Sequence, residues 1–203
     1  KGMGVTMHRI AHWIGWRERH FGLGALGSRV AVGLFFSWYW HIPLCLGGAV
    51  VVLPAELHAD APRLATYLAD SRADWVDCLS PGQMQMLLET APARGIGVRH
   101  VNASGEALPI PLARAFIRRF GVTLSNVLST TETAADICAM LDVTPEACDA
   151  WETAGFRTVP VCGVVVTSNH VSVDADGCLV VSGRNIEAGY LTGEDADAFS
   201  VDA

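Results

Sequence analysis

The sequence has little concentrated positive charge and no run of polar residues long enough to suggest disorder. It carries 14 Lys and Arg against 21 Asp and Glu, for a formal net charge of -7, and the basic residues are scattered. Because a protein must group Lys and Arg to neutralise a phosphate backbone, we expect no nucleic acid partner. Hydrophobic residues make up 51% of the 203, which is enough for one or two packed domains and excludes a disordered chain.

The sequence also lacks paired cysteines and a secretion signal. Its six cysteines form no Cys-x-x-Cys pair. They lie far apart in the sequence, so their spacing predicts neither a zinc site nor a disulfide framework and favours a reducing cytoplasm. The first residues do not show the basic, apolar and small-residue order of a signal peptide. We expect the chain to begin inside a larger protein.

The segment 30–55 contains no Asp, Glu, Lys or Arg and is long enough to span a bilayer. Pro43 and the glycines at 47–48 interrupt it, and the three valines at 50–52 are typical of a strand. A parallel sheet that is covered on both faces needs such continuous apolar strands. We therefore predict a buried strand, a short helix and a second buried strand, with no membrane span.

Strand-like and helix-like stretches alternate through the first 155 residues. Pro62, Pro81 and Pro111 each fall where a first-turn proline is tolerated in a helix. This alternation predicts an α/β fold with right-handed crossovers and a doubly wound, mostly parallel sheet. The predicted strands are 29–35, 49–53, 75–79, 98–103 and 123–128, and the predicted helices are 62–70, 81–89 and 111–120.

After Phe156 the pattern changes to short strands and turns. Residues 174–177 read Asp-Ala-Asp-Gly between two apolar runs, which predicts a hairpin. We therefore predict an α/β subdomain at 1–155, followed by the start of a smaller β-rich subdomain at 156–203.

Three local patterns have a structural and a functional interpretation. Residues 22–27 match the dinucleotide-binding fingerprint, but they follow a helical stretch and lead into a strand, so helix-terminating glycines are favoured. His8 and His12 have a metal-ligand spacing, but Arg9 stands where a zinc peptidase needs glutamate, which favours a solvated helix face. The aromatic residues within 35–40 could form plain core or a ligand pocket, and both interpretations stay open.

Four short blocks occur in a fixed order. Residues 1–5 read Lys-Gly-Met-Gly-Val, and residues 102–109 read Asn-Ala-Ser-Gly-Glu-Ala-Leu-Pro. Residues 126–133 read Asn-Val-Leu-Ser-Thr-Thr-Glu-Thr, and residues 177–183 read Gly-Cys-Leu-Val-Val-Ser-Gly, with Ala-Gly-Tyr-Leu at 188–191. Together these blocks resemble the adenylation domains of nonribosomal peptide synthetases and the related acyl and aryl acid ligases, which are adenylate-forming enzymes.

The resemblance implies a site for ATP and Mg²⁺. Thr131 and Glu132 correspond to the family's catalytic pair, in which the threonine contacts phosphate and the glutamate binds magnesium. The alternative is that residues 129–133 merely cap a helix starting near Ala134. The other nucleotide-binding positions that the resemblance implies are Lys1, Gly2, Ser104, Gly105, Glu106, Leu128, Ser129 and Thr130.

Departures from the family pattern leave two functions open. Leu128 occupies the place of the adenine-stacking tyrosine, and Ser129 and Thr130 replace a Gly-Pro pair. The 203 residues contain neither the complete phosphate loop nor the ribose motif and the lid lysine, so we expect N- and C-terminal subdomains of a larger protein as partners. One function is activation of a carboxylic acid and its transfer to a carrier-protein thiol, coenzyme A or an amine. The other is a non-catalytic adenylation-like module used for docking or structure.

The resemblance also predicts the kind of acid that is bound. Amino-acid-activating relatives carry Phe-Asp-x-Ser near residues 35–38, and here the aspartate's place falls on an uncharged residue. The nearest carboxylate that follows in the sequence is Glu56. Because a buried ammonium ion needs a counter-charge, we expect an acid without an α-ammonium group. The residues that we predict to line the pocket are Phe36, Ser37, Trp38 and Trp40.

Overall fold

The computed structural model describes residues 3–22, 27–32, 37–133, 135–166, 169–183, 186 and 190–191. Two short 3-10 turns, Ser37–Trp40 and Ala55–Leu57, accompany the helices and strands. The elements within the described residues are α1 (Met7–Phe21), β1 (Arg29–Val32), α2 (His41–Cys45), β2 (Ala49–Val52), α3 (Ala61–Ser71), β3 (Trp75–Leu79), α4 (Pro81–Thr90), β4 (His100–Ala103), α5 (Ile110–Phe120), β5 (Thr123–Thr130), β6 (Ala135–Val143), α6 (Pro145–Thr153), β7 (Val164–Val165), β8 (Asn169–Val173) and β9 (Leu179–Gly183).

Seven strands form one sheet in the order β2-β1-β3-β4-β5-β6-β7. The first five of these are parallel, and β6 and β7 continue the sheet in antiparallel pairing. A separate antiparallel pair, β8 and β9, follows. The predicted α/β class, a mostly parallel sheet followed by a smaller β structure, is confirmed. Because β7 pairs with β6, the large sheet extends beyond residue 155, where we placed the boundary between subdomains.

Helices cover both faces of this sheet. Successive strand residues point to opposite faces, and Val30 and Val32 belong to one buried cluster while Ala31 belongs to the other. The first cluster includes Trp13 and Trp16 from α1, and the second draws on α3, α4 and α5. The sheet is therefore doubly wound, as predicted.

The predicted helix signals lie where the structure uses them. Pro62, Pro81 and Pro111 occupy the first turns of α3, α4 and α5. Gly22 ends α1 with φ of 60° in the left-handed region that favours glycine, which confirms the helix-terminating interpretation at that residue. Residues 23–26 lie outside the described residues.

The uncharged segment 30–55 contains β1, α2 and β2, so the predicted order of strand, short helix and strand is confirmed. In the part of the chain that the structure describes, no helix combines the length and apolar character needed to cross a membrane. The predicted hairpin is also present. Asp174 Oδ1 closes its turn by accepting hydrogen bonds from the backbone N–H groups of Asp176 at 3.0 Å and Cys178 at 2.8 Å.

Candidate active site

The carboxyl ends of β4 and β5 bring two of the sequence blocks together. These strands are parallel neighbours, so the residues that follow β4 and end β5 meet at one edge of the sheet. The hydroxyl oxygens of Ser104 and Ser129 lie 3.2 Å apart, although the residues are 25 apart in sequence. Ser104 is buried, and Ser129 is half-buried. Two of the predicted nucleotide-binding residues are therefore in contact.

A cavity of about 500 Å³ opens beside this contact. Its walls come from residues 105–107 after β4, 126–129 on β5, and Phe156 with 158–161 after α6. Gly105 has φ of 94°, in the region that favours glycine. A Cβ atom added there would contact no neighbouring atom, so glycine is needed for its backbone conformation and not for space. The predicted residues Gly105, Glu106, Leu128 and Ser129 all line this cavity.

Asn126 holds the cavity wall that residues 158–161 form, and we did not predict this role. Its buried Nδ2 donates hydrogen bonds to the carbonyl oxygens of Val159 at 3.0 Å and Pro160 at 3.3 Å. The segment after α6 is thereby attached to β5. The available sequence signal was an amide next to Val127 and Leu128 in a predicted buried strand, because a buried amide must find partners.

The turn between β5 and β6 carries the predicted catalytic pair. Residues 131–133 form this turn, and Thr133 Oγ1 donates to the Thr130 carbonyl at 3.2 Å and contacts Thr130 Oγ1 at 3.1 Å. Thr131 and Glu132 are half-buried at its tip. The alternative interpretation, a capped helix starting near Ala134, is wrong, because the chain returns as β6 and pairs antiparallel with β5.

Glu132 contacts the last of the four blocks. The Tyr190 hydroxyl donates a hydrogen bond to Glu132 Oε1, and this bond raises the pKa of Tyr190 above its ordinary value. Tyr190 also forms an antiparallel bridge with Met3. Residues from the first, third and fourth blocks therefore meet at one place, although Lys1 and Gly2 themselves lie outside the described residues.

The residues at this edge fit a magnesium nucleotide. Mg²⁺ usually takes one or two protein carboxylates and completes its shell with water and substrate phosphates. Glu132 supplies one carboxylate, and Thr131 supplies a neighbouring hydroxyl. The described residues contain no group of three or more His, Cys, Asp and Glu side chains placed to hold a metal. A single carboxylate fits a metal ion that completes its shell with water and substrate phosphates.

The predicted acid pocket is described only in part. Phe36 and the side chains of Ser37 and Trp38 lie outside the described residues. Tyr39 is buried at 2% exposure, and its ring meets the Trp13 ring edge to face, with centroids 5.2 Å apart. Trp40 is 42% exposed. The aromatic run thus contributes to the core through Tyr39, and the pocket role of the other residues stays a prediction.

A buried carboxylate from a distant segment reaches this aromatic run. Asp136 on β6 accepts hydrogen bonds from Tyr39 Oη at 3.2 Å, Trp13 Nε1 at 2.8 Å and Arg17 Nε at 2.6 Å. Arg17 Nη1 also donates to Asp77 at 2.5 Å. Burial opposes the charge on Arg17, but Asp136 and Asp77 outweigh it and raise the pKa of Arg17. The sequence signal for this network was an acid among the apolar residues 135–141, and the sequence prediction named Glu56 instead.

Comparison with curated proteins gives carrier protein ligases among the relatives of this chain. Two D-alanine–D-alanyl carrier protein ligases of Streptococcus pyogenes, from serotypes M4 and M5, are 29% and 28% identical to this chain over 175 residues. Each match covers 79% of this chain and 33% of the relative, so the chain spans about a third of these proteins.

Solved structures share the fold. The structure of IdnL7 superposes with a TM-score of 0.76 at 21% identity, over 98% of this chain and 41% of that one. The amide bond synthetase McbA from Marinactinospora thermotolerans gives 0.75 at 21% identity, over the same shares. The Vibrio cholerae adenylation domain AlmE, solved with glycyl-adenosine-5'-phosphate, gives 0.70 at 18% identity, over 93% and 38%. The family model described as AMP-binding enzyme matches residues 26–191, and the chain therefore belongs to the AMP-binding enzyme family.

Proposed function

We propose that the protein carrying this chain condenses a carboxylic acid with ATP to an acyl adenylate and pyrophosphate, and then passes the acyl group to a carrier-protein thiol. The observation that carries this proposal is the cavity at the carboxyl edge, where the Ser104 and Ser129 blocks meet beside the turn that holds Glu132. Relatives named for a carrier protein support the thiol acceptor. Coenzyme A and an amine are the alternative acceptors.

The chain's own residues have distinct roles in this proposal. The carboxylate of the acid would attack the α-phosphorus of ATP and form the acyl adenylate while the bond to the leaving pyrophosphate breaks, and Mg²⁺ would supply positive charge that offsets the phosphates. Glu132 would hold the metal through its carboxylate, and Thr131 would donate its hydroxyl to a phosphate oxygen. Leu128 lines the cavity and would give the adenine an apolar contact in place of aromatic stacking. The backbone of 104–106 would lie along the opposite edge of the base.

The acid in our proposal lacks an α-ammonium group. Asp136 is the carboxylate that the structure brings to the aromatic run, and both of its oxygens already accept hydrogen bonds from Arg17, Trp13 or Tyr39. An ammonium ion would have to displace one of these donors, and a buried charge left without its partner is costly. We therefore propose an aryl, keto, hydroxy or fatty acid, with Phe36, Ser37, Trp38 and Trp40 forming its pocket.

The test is ATP–pyrophosphate exchange by the full-length protein that contains this chain. Acids should be screened in matched pairs that differ only in the α-amino group. We expect exchange with the acids that lack the group and little with their amino partners. Preferential exchange with amino acids would reject the substrate class while leaving adenylation standing. Exchange with none of a broad set of acids would favour the non-catalytic module instead.

A further inference from the structure

Two cysteines that are distant in sequence meet beside the cavity. Cys138 lies on β6 and Cys162 lies just before β7, and their Sγ atoms are 2.7 Å apart. Cys138 is completely buried, whereas Cys162 is exposed. Both are free thiols in this structure. The sequence spacing predicted no disulfide framework, but the antiparallel pairing of β6 and β7 brings this pair together.

We propose that Cys138 and Cys162 form a reversible disulfide when the protein meets a disulfide oxidant such as oxidised glutathione. The Cys162 thiolate attacks one sulfur of the oxidant, breaks its S–S bond and releases one glutathione thiol. The Cys138 sulfur, after losing its proton, then attacks Cys162 Sγ in the mixed disulfide and releases the second glutathione thiol. Two electrons pass to the oxidant, and the two thiol protons end on the two glutathione molecules.

The order of these steps follows from the surroundings of the two thiols. Thiolates are the reactive form, and reaction requires access to the oxidant. Burial raises the pKa of Cys138, with a further contribution from its hydrogen bond to Cys162. The exposed Cys162 therefore reacts first, and Cys138 resolves the mixed disulfide from the protein interior. In a reducing cytoplasm such a bond forms transiently under oxidation, which is the behaviour of a redox-responsive pair.

The bond would tie together two walls of the cavity. Cys138 pairs with Leu128, and Cys162 follows Val161, and both Leu128 and Val161 line the cavity. Gly163, the next residue, already donates its backbone N–H to Ala139 on β6 at 3.1 Å. Oxidation would therefore hold the segment 158–163 against β6. This inference rests on the thiol geometry and stands whether or not the proposed function is correct.

The test is disulfide mapping of the full-length protein in glutathione buffers. The protein is equilibrated with oxidised or reduced glutathione, alkylated and digested, and its peptides are analysed by mass spectrometry. We expect a linked pair of peptides containing Cys138 and Cys162 after oxidation, and its loss after reduction. Backbone hydrogen exchange across 158–166 should be slower in the oxidised protein than in the reduced protein.

Two variants serve as controls, and they remove different thiols. Cys162→Ser should abolish the linked peptides and the slowing of exchange, while Cys178→Ser, at an exposed hairpin position, should leave both unchanged. Circular dichroism checks that each variant is folded. Stable glutathione adducts at Cys162 without the link, links to other cysteines, or a link without slower exchange would each overturn the proposal.

Discussion

At the scale of single residues, the backbone of Arg72 is held in an unfavourable conformation. Arg72 ends α3 with φ of 55° and ψ of 36°, the left-handed region that glycine adopts without a steric penalty. We expect Arg72→Gly to raise the free energy of unfolding by about 0.5–1 kcal/mol, since the relief of strain exceeds the added chain entropy of glycine. Urea unfolding of the full-length protein, or of the domain that contains this chain, measures the change.

Arg72→Ala is the matched control for this prediction. Alanine also removes the exposed charge but keeps the Cβ atom that disfavours the left-handed conformation. Its unfolding free energy should stay within about 0.5 kcal/mol of the unchanged protein. Equal stabilisation by glycine and alanine would show that the effect comes from removing the charge of Arg72. The argument from its backbone conformation would then be wrong.

Position in the fold could be predicted where it depends on contiguous sequence. Ser129 ends a predicted strand and lies on the cavity wall, and its role in nucleotide binding stays a prediction. The partners of buried polar groups could not be placed in this way. Asp136 meets Arg17 across 119 residues, and Glu132 meets Tyr190 across 58. Such contacts depend on the order of the strands in the sheet, which the local pattern does not determine.

At the scale of secondary-structure elements, Asp74 connects the starts of β1, β3 and β4. Its carboxylate accepts hydrogen bonds from the backbone N–H of Arg29 at 3.0 Å and from Arg99 Nη2 at 2.6 Å. The backbone bond from Arg29 is the largest cause of a lowered pKa for Asp74, and Arg99 adds to it. The Asp74 side chain is 27% exposed, so its two hydrogen bonds are partly shielded from solvent.

This lowered pKa predicts a specific pH dependence of stability. Because the folded-state pKa lies below the unfolded value of about 3.9, the contribution of Asp74 is present above that value and is lost as the pH falls through the folded pKa. The difference in unfolding free energy between the unchanged protein and Asp74→Asn should be largest above about pH 5 and should shrink as the pH falls below about 3. Urea unfolding at a series of pH values measures it.

Asp70→Asn provides the comparison for Asp74. Asp70 pairs with Arg94 at 3.1 Å, but both side chains are more than half exposed, at 62% and 52%. An ion pair in that setting contributes little to stability. We expect Asp70→Asn to change the unfolding free energy only slightly at every pH. A larger effect for Asp70 than for Asp74 would contradict the role given to the Arg29 backbone bond.

The elements themselves were predictable where composition and turn chemistry agree. The apolar strands of the parallel sheet and the proline-started helices α3, α4 and α5 followed directly from the sequence. Residues 135–143 contain alanine, leucine and methionine, which favour helices, and we considered a helix there. Pairing with β5 along most of its length overrides that preference and makes the segment β6.

At the scale of the whole molecule, the chain places a cavity at one edge of a doubly wound sheet. Helices cover both faces, so the carboxyl edge is where polar residues such as Ser104, Ser129 and Glu132 can meet a ligand. The chain spans about a third of its curated relatives. We therefore expect the 203 residues expressed alone to show no pyrophosphate exchange, because they lack the complete phosphate loop and the lid of the family.

The most direct test of the adenylation account is ATP–pyrophosphate exchange by the full-length protein with Glu132→Gln, measured on the best acid from the substrate screen. Removal of the charge that we propose to bind the metal should lower exchange by about a hundredfold or more while the unfolding midpoint changes little, and Thr131→Ala should lower it less. Glu146→Gln, an exposed position at the start of α6, should keep full exchange. Full exchange by folded Glu132→Gln would contradict the account.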